Sequence, residues 1–161
     1  MLTLVAAMAH DRVIGHDGKM PWHLPHEFKH FKTVTVGKPV IMGRTTYESL
    51  PQLLPQRDNI IISRQPDLQV PGATVCQSIE QALTIVEQTD EIMIIGGASI
   101  YQQTISQANR MILTFIDLKT AGDTFFPAWE HDEWQCTQQV DHPITSDNPL
   151  AFCCQWLERI E

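Results

Sequence analysis

Glu91-Ile92-Met93-Ile94-Ile95-Gly96-Gly97-Ala98-Ser99-Ile100-Tyr101 is the stretch from which the fold can be read. A short run of β-branched and other apolar side chains has the length and composition of a buried strand. Two glycines stop it, and a helical pattern runs from Ala98 to about Gln107. Strand, glycine turn and helix in direct succession are the opening of a parallel crossover. The alternation recurs upstream. Apolar runs at 2–9, 38–43, 58–63 and 72–77 read as strands, and helical patterns lie at Pro25 to about Val36, Thr45 to Leu50 and Ser78 to Gln88. Pro25 suits a first helical position, and Ser78 with Gln81 three residues later has the form of a capping box.

The last third changes character. Arg110 to Asp117, Glu133 to Val140 and Leu150 to Leu157 follow one another without a convincing helix and read as antiparallel strands. The expected architecture is a single domain over residues 1–161. It is a three-layer α/β/α fold with a mixed, mainly parallel sheet of about eight strands and about four helices, antiparallel at its C-terminal end. The segment from His10 to Leu24 is polar, carries Gly15, Gly18 and Pro21, and is long for a connection. Such loops are often lids.

A chain of 161 residues with 43% hydrophobic and 19% charged side chains has the composition of an ordinary globular domain. No apolar run approaches the roughly 20 residues of a membrane span. The N-terminal run Leu2 to Ala9 lacks a basic leader and reads as a first strand rather than a signal peptide. Four cysteines without a C-x-x-C pair read as buried free thiols, and a cytoplasmic protein is expected. A formal net charge of −8 argues against a nucleic-acid binder. It leaves room for an anionic small molecule only where the eleven Lys and Arg are placed locally.

Glu27 is claimed by two chemistries. It is the centre of His26-Glu27-Phe28-Lys29-His30, a literal H-E-x-x-H, the pattern of a zinc hydrolase. It also closes Met20-Pro21-Trp22-His23-Leu24-Pro25-His26-Glu27, where an acid sits among aromatic and apolar residues. Zinc needs a third protein ligand, and no metalloprotease extension follows. On a helical wheel Leu24, Phe28 and Phe31 share one face with Glu27 at its edge, while His26 and His30 fall roughly 110–150° away, on the expected solvent side. A helix-start acid favourable to the helix dipole is the plainer reading of Glu27.

Collinear segments separate these readings. They are Val5-Ala6-Ala7, Val13-Ile14-Gly15, Met20-Pro21-Trp22-His23-Leu24-Pro25, Phe31-Lys32, Gly37-Lys38-Pro39-Val40-Ile41-Met42-Gly43-Arg44-Thr45-Thr46, Leu54-Pro55-Gln56-Arg57, Ile95-Gly96-Gly97 with Ile100-Tyr101, and Gly122-Asp123-Thr124-Phe125-Phe126-Pro127. In this order and spacing the chain resembles the dihydrofolate reductases of bacterial chromosomal type over its whole length. The resemblance implies NADPH-dependent reduction of dihydrofolate to tetrahydrofolate in one-carbon metabolism, by a monomer that antifolate inhibitors would target. It implies a catalytic Glu27, with Trp22 and Thr114 beside it, and a carboxyl pKa raised by desolvation. No metal is implied.

The implied substrate residues are Val5, Ala6, Ala7, Phe28, Phe31, Lys32, Leu50, Leu54, Ile95 and Arg57, the last holding a carboxylate. The implied cofactor residues fall in three groups. Gly43, Arg44, Thr45 and Thr46 form one phosphate segment, and Ser63 and Arg64 meet the 2′-phosphate. Ile95, Gly96, Gly97, Ala98, Ser99, Ile100 and Tyr101 form the glycine turn, and Ala7, Ile14, Gly15 and Met20 surround the nicotinamide. Asp123 would support the lid. The chain departs from the family pattern at Pro51-Gln52-Leu53, ahead of Arg57, and at Ser99, where an arginine is common. The rival classes are a zinc hydrolase and a non-catalytic nucleotide-binding module, the second keeping Arg44 and the glycine pair without needing Glu27.

Overall fold

The computed structural model describes residues 1–161. The apolar runs become β1 (Leu2–Met8), β3 (Val40–Gly43), β4 (Asn59–Ile62), β5 (Thr74–Cys76) and β6 (Ile92–Gly96). The helical patterns become α1 (Pro25–Thr35), α2 (Arg44–Ser49), α3 (Ile79–Ile85) and α4 (Ala98–Thr104). The last third supplies β7 (Arg110–Ile116), β9 (Trp134–His142) and β10 (Phe152–Arg159). The sheet runs β5-β4-β3-β6-β1-β7-β10-β9. Ser78 caps α3 by accepting the Gln81 N–H at 3.1 Å, while the Gln81 side chain accepts from the N–H of Gln77, one residue before the cap.

Burial explains why the parallel strands are apolar without alternation. Leu4, Val40, Ile41, Met42, Ile61, Met93, Ile94, Met111 and Leu113 are all fully buried, because both faces of the sheet are covered. On one face Leu4, Ile41, Ile94 and Leu113 pack with Ile79, Ala82, Ile100 and Tyr101 of α3 and α4. On the other, Val5, Met42, Met93 and Ile112 pack with Phe31 and Val34 of α1 and Tyr47 of α2. The result is the three-layer α/β/α arrangement.

The antiparallel reading of the last third holds for β7 with β10 and for β10 with β9, and β7 in addition runs parallel to β1, with Ala7 opposite Thr114. The reason is that α4 and a short 3-10 turn at Ile105–Gln107 carry the chain back along the sheet, so β7 enters in the direction of β1. The loop segments also hold a second, two-stranded sheet of β2 (Val13–Gly15) and β8 (Thr124–Phe125), too short to register as periodicity. The thiols are free, but only Cys76 and Cys154 are buried; Cys153 is half-buried and Cys136 is exposed.

The N-terminal end of the parallel strands is tied by Glu91. Its Oε2 accepts from the Thr3 hydroxyl at 2.6 Å and from Arg110 Nη1 at 3.1 Å, and its Oε1 lies 2.9 Å from Lys38 Nζ. Burial raises the Glu91 pKa, but the bonds from Thr3 and Lys38 and the charges of Lys38 and Arg110 outweigh it and hold the carboxyl below its ordinary range. A depressed carboxyl pKa stabilises the fold above the unfolded value and loses that contribution as pH falls through the folded one. Glu91→Gln should therefore cost about 1.5–3 kcal/mol at pH 7, the worth of hydrogen bonds to a charged group. In urea unfolding the gap between variant and wild type should shrink progressively below pH 4.5.

Candidate active site

A cleft of about 730 Å³ opens across the C-terminal ends of β1, β3, β4 and β6, where parallel sheets place ligands. Glu27 lines its inner part. It is the third residue of α1, buried to 8% exposure, and neither a hydrogen bond nor an ion pair to the protein reaches its carboxyl group. Leu24 precedes the helix and offers no side-chain cap, so Glu27 is not answering a capping box. Burial lifts its pKa from 4.5 to about 7. Around it the inner wall is formed by Val5, Ala6, Ala7, Phe28, Phe31, Leu50, Ile95 and Thr114.

The β1–β7 register places Thr114 beside Ala7, and the Thr114 hydroxyl lies 3.5 Å from Cys154 Sγ. Tyr101 Oη donates to Val5 O at 2.6 Å, tying α4 to β1. Burial and then the charge of Glu27 raise the Tyr101 pKa, so the phenol stays protonated beside the acid. Cys154 is likewise raised, by burial first, with the Thr114 bond opposing and the Glu27 charge adding. Trp22 is buried in a separate cluster with Leu24, Ile116 and Phe152, and its indole Nε1 has no protein acceptor.

The two histidines flanking Glu27 diverge. His26 is exposed, as the wheel suggests. His30 is not: it is half-buried and lines the cleft, its ring edge-on to Trp156 at 5.6 Å and its Nε2 buried without a partner. Burial, then the neighbouring His142, lower its pKa. A wheel drawn for α1 alone misses β9 and β10, which bring Trp156 and His142 to that face. Neither histidine shares a three-ligand cluster with Glu27.

The outer part of the cleft is polar and cationic. Gly43, Arg44, Thr45 and Thr46 line it at the β3–α2 junction, Ser63 and Arg64 at the end of β4, and Gly96 to Tyr101 at the β6–α4 junction. A cis peptide joins Gly96 to Gly97. Gly96 has φ +126, and a Cβ there would stand 3.3 Å from both Thr46 Oγ1 and Tyr101 Oη, so only glycine suits the approach. Neither α2 nor α4 has a side-chain cap at its N-terminus, which leaves first-turn N–H groups free for an anion. Arg44 Nε lies 3.4 Å from Glu48, whereas Arg64 is exposed and has no ion-pair partner. Ser63 is buried, with its hydroxyl accepting from the Gln65 N–H at 3.1 Å, and Ser99 holds Gln103 Nε2 at 3.0 Å. Ile14, Gly15 and exposed Met20 line the side formed by the segment from His10 to Leu24.

Five named residues lie outside the wall. Besides Trp22, Leu54 is buried behind it, its N–H bonded to Asn59 Oδ1 at 3.1 Å. Lys32 is exposed, its ammonium 4.6 Å from the Phe28 ring centroid. Arg57 is held by Pro55 O at 2.7 Å, Thr35 Oγ1 at 2.6 Å and Lys32 O at 3.3 Å. Asp123 accepts the Asp17 N–H at 2.9 Å. The sequence reading missed His30, Ser49, Gln65, Gln77, Gln103 and Thr124, which also line the cleft. Ser78 lines it as well and was visible only as a cap.

Residues 1–159 match the family model for dihydrofolate reductase. The chain belongs to the dihydrofolate reductase family. It is 41% identical over 157 residues to a type 3 dihydrofolate reductase of Salmonella typhimurium, covering 98% of this chain and 96% of that one. With the dihydrofolate reductase of Neisseria meningitidis it shares 44% identity over 146 residues, 90% of each chain. A solved dihydrofolate reductase from Enterococcus faecalis, complexed with NADP(H) and RAB-propyl, superposes with TM-score 0.92 at 31% identity, covering 100% of this chain and 97% of that one.

The raised pKa of Glu27 has a price in stability. A carboxyl whose folded pKa exceeds its unfolded value favours folding below about 4.5 and loses that advantage as pH rises through about 7. Glu27→Gln should therefore raise the stability of the reductase at pH 8 by up to about 3 kcal/mol, with little gain at pH 4, in thermal and urea unfolding.

Proposed function

We propose that this chain reduces 7,8-dihydrofolate to 5,6,7,8-tetrahydrofolate with NADPH, and that Glu27 is its catalytic residue. The observation that carries the reading is one unpartnered, buried carboxyl group with a pKa of about 7, at the apolar end of a cleft whose other end is cationic. Its chemistry fits a flat heterocycle bearing an amino group and a ring nitrogen, which an acid binds by a charge-assisted pair. Bound NADPH supplies the hydride. Arg44, Thr45, Thr46, Ser63, Arg64, Ser99 and the Gly96–Gly97 turn would hold its phosphates and adenosine, with Ala7, Ile14, Gly15 and Met20 around the nicotinamide. The Gly96 approach and the free helix N-termini suit a pyrophosphate lying on backbone.

Reduction of the pterin imine adds hydride to carbon and a proton to nitrogen. Glu27 would promote the protonation through a water, for which Trp22 Nε1 is a buried donor lacking a protein acceptor. Thr114 would bridge Glu27 and the pterin. Phe28, Phe31, Leu50 and Ile95 pack the rings, with Leu54 behind them, and Arg57 and Lys32 would take the carboxylates at the outer rim. Antifolates would compete for the same inner wall. We place the protein in the cytoplasm as a monomer that binds no nucleic acid. The free thiols and the net charge of −8 support this, and no helix is long and apolar enough to cross a membrane.

Mixing the protein with NADPH and dihydrofolate should consume NADPH, with or without chelator; no turnover refutes the reading. Glu27→Gln keeps the shape but removes the proton donor, so hydride transfer at pH 7 should fall ~10²–10⁴-fold. It should recover partly as pH falls and solvent protonates the substrate, while the wild-type rate should decline as pH rises through about 7. Arg64→Ser should lower kcat/KM for NADPH about tenfold or more, the worth of one charge-assisted bond, and leave that for NADH unchanged.

A further inference from the structure

His16 and Asp17 of the loop between β2 and α1, with Asp123 of the loop before β8, form a cluster of metal-ligating side chains outside the cleft wall. His16 Nε2 lies 3.4 Å from Asp17 Oδ2. One ligand atom each from His16, Asp17 and Asp123 all lie within 4.8 Å of one another. Asp123 belongs to the loop before β8, far away in sequence, yet the two loops are already joined. The Asp17 N–H donates to Asp123 Oδ2 at 2.9 Å, and the Asp123 N–H donates to Gly15 O at 3.1 Å. The Thr124 hydroxyl donates to Asp123 Oδ1 at 2.9 Å. Each Asp123 oxygen therefore keeps a free lone pair.

The spacing and donor types suit one class of ion. Tetrahedral zinc with ligand bonds of about 2.0–2.2 Å sets its ligand atoms roughly 3.3 Å apart. The His16–Asp17 edge already has that length, and the remaining edges can close by rotation of exposed side chains. One imidazole nitrogen and two carboxylates leave a fourth position for water, as zinc accepts. Calcium and magnesium require about six or more oxygens.

We propose that His16, Asp17 and Asp123 form a reversible zinc site that fastens the lid to the loop before β8. His16 and Lys19 close the lid turn through reciprocal backbone bonds of 2.8 and 3.0 Å, and Gly18, Lys19 and Met20 line the cleft. Zinc bound at the base of that turn holds those residues across the cleft mouth and slows ligand exchange. The binding half of the inference stands without the proposed activity; only the kinetic half rests on it.

The test uses chelator-stripped full-length protein and zinc chloride alone, in equilibrium dialysis. Wild type should bind one zinc per chain, undisplaced by excess magnesium. His16→Ala should bind at least roughly tenfold more weakly, since loss even of an outer-shell partner costs 10–100-fold. Without zinc the variant should match wild type in Tm and turnover. Zinc should slow wild-type reduction of dihydrofolate, EDTA should restore it, and the variant should be insensitive. Zinc affinity unchanged by His16→Ala overturns the site. Zinc binding that requires His16 but leaves wild-type turnover unaltered overturns the latch. No turnover in metal-free wild type would instead count against the proposed function.

Discussion

The parallel pairing of β1 with β6 on one side and β7 on the other is what the cleft rests on. It aligns Leu4 with Ile94 and Ala7 with Thr114, so three strand ends terminate together at one level of the sheet. The small side chains of Ala6 and Ala7 then leave room between the strand ends and α1. Tyr101 fixes the geometry from the other face through its bond to Val5 O. Glu27 is left facing a floor made of backbone edges, apolar side chains and one threonine.

The charge distribution separates the two ends of the sheet. At the N-terminal end Lys38 and Arg110 are spent on Glu91, and Arg159 pairs with Glu133. At the C-terminal end Glu27 is the sole acid of the cleft wall, and Lys19 and Arg64 line it without ion-pair partners. A chain of net charge −8 thus offers anions a local field unlike its average. The acid itself is kept near neutrality by burial, so it does not oppose that field at pH 7 to the extent a surface carboxylate would.

Elements defined by local pattern were legible in the sequence: the apolar strands, the Ser78 cap, the proline start of α1 and the glycine stop of β6. The additional parallel pairing of β7 with β1 was not, because a buried strand reads the same whether its partner is parallel or antiparallel. β2 and β8 were too short for periodicity and are held by pairing with each other. Glu27 stood out as an acid amid Trp22, Phe28 and Phe31, but the residues alone left a helix-start role equally open, and the collinear resemblance decided between the two. His30 was misplaced because its partners, Trp156 and His142, lie more than a hundred residues downstream and share no helix with it. The polar lining from Gln65, Gln77 and Gln103 has the same character: ordinary surface residues that only topology gathers.

Arg57 illustrates how a long side chain can be ordered by the fold itself. Pro55, Thr35 and Lys32 already fix its guanidinium, and Thr35 is itself fully buried and anchored to Phe31 O. Ordering a side chain with this many rotamers at an interface costs about 0.5–1.5 kcal/mol. Here that loss of freedom occurs once, on folding. The proposed carboxylate partner would meet a guanidinium already fixed by these bonds, with only Nη2 uncommitted, so its approach would be set by shape as much as by charge.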